Sequence, residues 1–520
     1  MRNRRGEEVQ LKIFYMATLI AAIVANILHA DVVEEKEGNI QYGKDSAAAA
    51  IDVIDYAGAN YDCNPAAWFS AKNDFSRFLA DLEEGVDYLS LADYVTSGSA
   101  DGSTNNTQGF KDALAAMESR GIAKLFVPAG HYLIDSIALE MENVSFYGSS
   151  VGISLLASMG AESEIGNGLN TALPGHHVSP YGLYFYNVKL VSAGSASCNN
   201  GAANYVNNVF ISTATGRTIR EQYSCGSRIE GNIFLGTEAS GQQTILIKIS
   251  SISVEDNVFG LDMEATDWLE TEWARSSEWT CLPEKLNALY AGLELPQMMD
   301  TFHCLINFGG YEEGYPIIFS HNIVNASSTS SAEDTDHILY FKGVQDVQVI
   351  ANYFRGFYDD YMKFSGARDC VVAYNNFDGP ECRAYIEECE DLGPGRKGNY
   401  LERILYYGNR LGADPDGSNH GRLFAWNYCL ETDGIEEEDI QYSQNRQAIE
   451  TVPSEGVFLK RRGAYGPAHR IFSDNILEDG SGPILIGGEA SHLPAVESFD
   501  ASKVIDLAGE LVPVPKLPPH

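Results

Sequence analysis

The 520-residue sequence predicts an all-β chain. The predicted architecture is a single-stranded right-handed parallel β-helix, a solenoid closed at its N-terminal end by a helix and interrupted by inserted helical loops. Three observations predict it. A short motif of Asn, one residue and an apolar residue, often Phe, recurs along the chain. In Asn208-Val-Phe, Asn232-Ile-Phe and Asn257-Val-Phe the spacing is 24 and then 25 residues. A period in the low twenties with strands between is the signature of stacked β-coils. Ahead of the repeat stands one amphipathic helix followed by a strand, a turn and a strand. Within the repeats, apolar residues alternate with polar ones, as half-buried strands require.

The elements follow in chain order. Residues 1–30 read as a signal peptide: basic MRNRR, the apolar stretch IFYMATLIAAIVANIL, and a cleavage site ending at Ala30 before acidic DVVEEKE. An uncleaved anchor is the alternative, but the apolar stretch is short for a span. Export follows, to an extracellular or periplasmic location, with no stable membrane partner after cleavage. Residues 31–90 are an irregular acidic lead-in. The loop ADGSTNNT then opens a helix with Phe110, Ala113, Leu114 and Met117 on one face and Gly121 at its end. KLFVPAGHYLI reads as strand, Pro-Ala-Gly turn, strand. The β-helix domain covers residues 91–500. The Asn motif recurs at Asn143, Asn187, Asn208, Asn232, Asn257, Asn322, Asn352, Asn375, Asn409, Asn427 and Asn475. Asn tolerates the left-handed conformation a tight corner needs, and stacked Asn side chains can bond along the axis. A β-sandwich with Asn-rich turns would not hold such a period. Two stretches break it: 260–305, helical in pattern and rich in Trp, and 380–402, an excursion carrying two cysteines. Residues 501–520 form a C-terminal tail.

Composition narrows the function. There are 35 Lys and Arg against 72 Asp and Glu, a net charge of −37. Such a chain lacks the basic face that nucleic acid requires. An exported chain permits disulfides; Cys281 with Cys304 and Cys382 with Cys389 are the local candidates among nine cysteines, and spacing alone leaves the connectivity open. No CxxC or Cys/His zinc spacing occurs.

Against this acidic background the lysines stand out. In TILIKIS, alternation sends Ile245, Ile247 and Ile249 inward and Lys248 outward. The same register sends Tyr340 and Lys342 outward in HILYFKG, Tyr361 and Lys363 in YMKFSG, and Lys460 and Arg462 in GVFLKRRG. Taken singly, each is an ordinary solvated strand lysine. Together, on stacked coils about 4.8 Å apart, they form a cationic stripe suited to an extended polyanion. Trp268, Trp273 and Trp279 of the long insertion could stack on sugar rings or pack among themselves.

The helix with VPAGHY resembles the cap and first coil of the pectin-lyase-like superfamily of parallel β-helix proteins. These include polygalacturonases, polysaccharide lyases and phage tailspikes. NIFLGTEASGQQTILIKISSISVEDNVF resembles the catalytic coil of family-6 polysaccharide lyases, the alginate lyase and chondroitinase B group. LYFKGVQDVQVIANYFRG and YMKFSGARDCVVAYNNFDG resemble the coils that follow, so the likeness runs over residues 228–380 apart from the insertion. Lys342 stands where that family has arginine, and Gly343 where it has histidine. The metal the resemblance implies is calcium, but its acidic ligand positions fall on Gly241 and Gln243. The implied chemistry is β-elimination on a uronate polysaccharide. A cation must neutralise the carboxylate as the enolate develops, and a base must take the C5 proton. The resemblance implies Lys248 as base, Lys342 as neutraliser or base partner and Lys363 as a sugar-binding residue. Tyr340 or Tyr361 would protonate the leaving oxygen.

Two other readings stand beside it. A glycoside hydrolase of a sulfated polysaccharide, of carrageenan or fucan type, would need two carboxyl groups flanking the bond. Glu255, Asp256, Asp262, Glu264, Glu312, Glu313, Asp359 and Asp360 supply candidates. A non-catalytic β-helix would bind polysaccharide alone. In all three the partner is a polysaccharide, anionic in the first two.

Overall fold

The computed structural model describes residues 88–149 without a break and, between 154 and 513, the strands and corners named below. The chain divides between Asn60 and Tyr61 into two units, and every described residue belongs to the second.

The helix α1 spans Thr107–Arg120. It buries Phe110, Ala113, Leu114 and Met117, the stripe the sequence predicts. Gly121 ends it in the left-handed conformation at φ 65°. The Gly121 N–H bonds to the Glu118 carbonyl and the Ile122 N–H to that of Met117, closing the last turn. The following run forms the strands Lys124–Phe126 and Gly130–Ile134.

Each coil then has three strands. In one coil Ile219–Gln222 lies on a first face, Cys225–Glu230 on a second and Ile233–Gly236 on a third. The next coil supplies Ile245–Lys248, Ser251–Glu255 and Val258–Phe259 in parallel register. The third-face strands form a 13-stranded sheet. The first and second faces join into one of 23 strands, because His337–Ile350 and Asp360–Ala373 run through the corner between them. Successive parallel coils of this kind wind right-handed, and the fold is the predicted β-helix.

The corner between the second and third faces carries the Asn motif. Asn208, Asn232, Asn257, Asn322, Asn352, Asn375, Asn409 and Asn445 form a continuous buried ladder. At Asn232, Nδ2 donates to Asn257 Oδ1 at 3.0 Å and to the Tyr205 carbonyl at 2.7 Å. The Asn232 backbone N–H reaches the same Asn257 oxygen at 2.9 Å. The left-handed residue, however, is the one before the ladder Asn: Asn207, Gly231, His321 and Gly408 have φ of 54–64°. Asn143, Asn187 and Asn427 share the sequence motif but lie outside the ladder, in or beside strands of other faces. Asn445 belongs to it although Arg446 and Gln447 follow; Asn475 lies outside the described residues.

Two boundaries are corrected. The stretch 380–402 is not wholly an excursion: Arg383–Glu388 pairs with Asp360–Ser365 on the first face, and Tyr400–Glu402 begins a second-face strand. The tail also contains structure, because Lys503–Ile505 and Leu511–Pro513 pair antiparallel. The long insertion 260–305 connects a third-face strand to the next first-face strand and lies outside the described residues. The ladder nevertheless passes directly from Asn257 to Asn322.

The core is built from inward files. Phe185, Phe210, Phe234 and Phe259 stack with ring centroids 4.7–5.1 Å apart, as do Phe308, Phe341 and Phe364 at 4.9 Å. These distances match the coil spacing, so the rings of Phe210, Phe234 and Phe259 in successive Asn-x-Phe motifs land on one another.

Candidate functional site

The first face presents the predicted lysines on its outer side. Register places Gln222, Lys248, Gly309, Lys342 and Ser365 in one outward file, and Glu388 follows Ser365 by backbone register. A second file, two residues earlier along each strand, runs Arg220, Leu246, Asn307, Tyr340, Lys363, Ile386, Trp426 and Lys460. Lys248, Lys342 and Lys363 therefore share one face, in two neighbouring files. Lys248 is half-buried, and its strand neighbours Ile245 and Ile247 belong to the core.

Tyr340 is where these side chains meet. The Lys363 Nζ lies 5.2 Å from its ring centroid and the Lys342 Nζ 5.8 Å. The His337 ring stands 5.8 Å away. Two ammonium groups held against one phenol ring form a cation–π arrangement, and they concentrate positive charge in an acidic protein. Between Lys248 and Lys342 the file has Gly309. A Cβ built there would rest 3.8 Å from Lys248 Cγ, an ordinary contact. The glycine thus leaves a step between two lysines whose strands are two coils, roughly 9.6 Å, apart.

Tyr361 is not part of this face. It is fully buried, with its ring 5.6 Å from that of Phe354 and 5.0 Å from that of Phe377. Strict alternation fails where the chain enters the first face: Ile338 and Leu339 both belong to the core, as do Tyr361 and Met362. Lys460 joins the second file by backbone register. Arg462, Trp268, Trp273, Trp279, Gly241, Gln243 and the four cysteines of the expected pairings lie outside the described residues.

Of the carboxylates, Glu255 lies on the second face, in register with Glu230 on one side and Ser320 on the other. Its Oε1 accepts the Ser320 hydroxyl at 2.8 Å. Asp360 lies at the start of a first-face strand, in register with His337.

Sequence reasoning missed a buried constellation immediately behind Lys248. The inward file of the first face runs Ser192, Glu221, Ile247, Phe308, Phe341 and Phe364. It is polar up to Glu221 and apolar from the coil of Lys248 onward. Glu221 is wholly buried. Its Oε2 accepts the Tyr205 hydroxyl at 2.8 Å and its Oε1 the Ser227 hydroxyl at 2.7 Å. The Tyr205 hydroxyl also meets Ser192 Oγ at 2.9 Å, and the Ser192 and Ser224 hydroxyls favour the charged form of this carboxyl. Burial pushes Glu221 up to about 7, against these hydroxyls, which pull it down. His177 Nδ1 lies 4.0 Å from Glu221 Oε1 and 3.3 Å from Ser224 Oγ, while its buried Nε2 has no hydrogen-bond partner among the described residues. Burial and the neighbouring His176 push His177 down to about 4. The signal in the sequence is the strand IREQ, where alternation sends Glu221 to the same side as Ile219.

No protein-family model matches the chain, and no curated protein matches its sequence. Solved structures do resemble it. The chain is similar to PfbA, a surface adhesin of Streptococcus pneumoniae, at 13% identity and a TM-score of 0.47, over 83% of this chain and 99% of that one. It is similar to an exopolygalacturonase from Thermotoga maritima at 11% identity and a TM-score of 0.39, over 78% and 89%. A tailspike protein of E. coli bacteriophage HK620 matches at 13% identity and a TM-score of 0.44, over 78% and 68%.

Proposed function

We propose that this is an exported enzyme that depolymerises an anionic polysaccharide by β-elimination on the outer first face. One observation carries the reading. Lys248, Lys342, Lys363 and Tyr340 come from three coils, share one face, and draw two ammonium groups onto one tyrosine in a chain of net charge −37. Lys248 is assigned as the base for the C5 proton. Lys342, across the Gly309 step, neutralises the uronate carboxylate as negative charge moves onto it. Lys363 binds the neighbouring sugar. The Tyr340 hydroxyl protonates the departing glycosidic oxygen, so that the bond breaks as the C4–C5 double bond forms.

The test is incubation with uronate and sulfated polysaccharides while following the absorbance of the unsaturated product. Lys248→Ala should abolish that signal and leave the thermal transition unchanged; full activity in this variant refutes the assignment. A hydrolase is the second reading. The in-register pair Glu230 and Glu255 favours it, because adjacent coils stand about 4.8 Å apart, near the separation of a retaining carboxyl pair. New reducing ends without the unsaturated chromophore would select that reading. Binding without either product would leave a polysaccharide-binding protein.

A further inference from the structure

The buried constellation behind the first face has a geometric relation to Lys248 that its polar chemistry alone does not require. At the corner between the first and second faces, Tyr223 of one coil and Ser250 of the next hold the Lys248 carbonyl from two sides. The Tyr223 N–H donates to it at 3.1 Å and the Ser250 hydroxyl at 2.9 Å. Ser250 is itself fixed, because its Oγ accepts the Ser224 N–H at 3.1 Å. The Ser251 N–H returns to the Ser224 carbonyl at 3.1 Å. Tyr223 has φ 56° and Gly226 φ 79°. A non-glycine residue in the left-handed region holds that conformation only when its surroundings impose it.

The surroundings here converge on Glu221. Tyr205 and Ser227 reach its carboxyl from the second face, the Tyr205 hydroxyl also meets Ser192 of the preceding first-face strand, and the Ser224 hydroxyl at the corner favours its charged form and faces His177 Nδ1 at 3.3 Å. The two serines on either side are also anchored to the backbone. Ser192 Oγ accepts the Val178 N–H at 3.1 Å, and Ser227 Oγ accepts the Ala203 N–H at 3.0 Å. His177 closes the remaining side through Ser224. One carboxyl therefore ties two faces and the corner together, one coil from Lys248. An aliphatic side chain, such as Ile247 in the next coil of the same file, would fill the space without fixing the corner.

We propose that Glu221 is a positioning residue that, through Ser224 and Ser250, fixes the backbone of the strand end carrying Lys248. The inference rests on the assignment of Lys248 as the working lysine, but its test does not use turnover. Glu221→Gln keeps the shape and replaces one acceptor oxygen by a donor facing other donors. Two quantities are read in the full chain: amide exchange protection at Tyr223, Ser224 and Ser251, and the rate at which sulfo-NHS acetate acylates Lys248, followed by peptide mass spectrometry. Protection at the corner is expected to fall about tenfold, as for local opening, and the Lys248 acylation rate to change with it. Lys342, Lys363 and the amides of residues 352–354 should keep wild-type values. An unchanged Lys248 rate, or a uniform loss of protection along the solenoid, overturns the proposal. If Glu221→Gln does not fold, Ser227→Ala removes one donor and should move the same two readings in the same direction. No movement there also overturns it. A Lys248→Ala enzyme that keeps its turnover would refute the assignment of the base while leaving these two readings intact.

Discussion

Two polar arrays run inside this solenoid, the Asn ladder at one corner and the Glu221 constellation behind the first face, and they satisfy burial in different ways. The ladder is made of amides, each a donor to the next coil and an acceptor from the previous one. Its pairing is complete at any pH and can be extended coil by coil. The constellation has hydroxyl donors gathered on a single carboxyl, so its state depends on a proton. Neutral, self-complementary groups can therefore repeat through the fold, while among the described residues the ionisable hub at Glu221 stands where one corner has to be fixed.

The largest effect is expected where the ladder is cut. Asn257→Leu leaves the Asn232 backbone N–H without its acceptor, removes one acceptor of the Asn232 side-chain amide, and takes a donor from the Ile229 carbonyl and one of two from that of Glu255. At about 1–3 kcal/mol for each buried unsatisfied group, chemical denaturation should show a loss of roughly 3–5 kcal/mol. That loss should be the same at pH 5 and pH 7. A strongly pH-dependent loss would break the distinction between the two arrays.

The constellation should behave in the opposite way. The folded-state value of Glu221 is raised, to about 7 from 4.5. Its contribution is therefore fully present below about pH 4.5 and is lost as pH rises toward 7. His177 is lowered to about 4 from 6.5. Its contribution is present above pH 6.5 and is lost as pH falls through 4. Between roughly pH 4.5 and 6.5 the two slopes cancel in the wild type. Glu221→Gln should expose the histidine, with stability rising by about 3 kcal/mol from pH 4 to 6.5. His177→Asn should expose the carboxyl, with a fall of similar size from pH 4.5 to 7. Thermal melting across this range measures both; parallel curves for the two variants would show that the groups are not linked to folding in this way.

Smaller effects sharpen the contrast with ordinary core and surface. Phe341→Leu in the stacked file should cost about 1 kcal/mol with no pH dependence, measurable by the shift in denaturation midpoint. Lys363→Met on the outer face should change stability by less than about 0.5 kcal/mol. It should weaken polysaccharide binding, and the deficit should shrink in high salt because exposed charges are screened. A binding isotherm at two ionic strengths checks it.

Much of this was legible before the fold was known. The cap helix ends at Gly121 as its pattern requires, and the Asn-x-Phe motif marks a true corner. The left-handed position, however, belongs to Gly231 or His321 and the ladder position to the Asn that follows. The motif also falls on Asn187, which sits at a different corner, and misses Asn445, whose neighbours are polar. Strict alternation fails at Tyr361 because it lies in a corner where consecutive side chains turn inward.

The sequence by itself determined the period, the inward and outward sides of most strands, and the outward setting of Lys248, Lys342 and Lys363. Each coil meets the same local demand, so the demand is written once per repeat. Only the tertiary structure decided which coils stand side by side. It set Gly309 between Lys248 and Lys342 across a long insertion, brought two lysines onto Tyr340, and placed Glu221 under Ile247. Those neighbours are fixed by strand register between coils, through hydrogen bonds and stacked rings that link residues far apart in the chain.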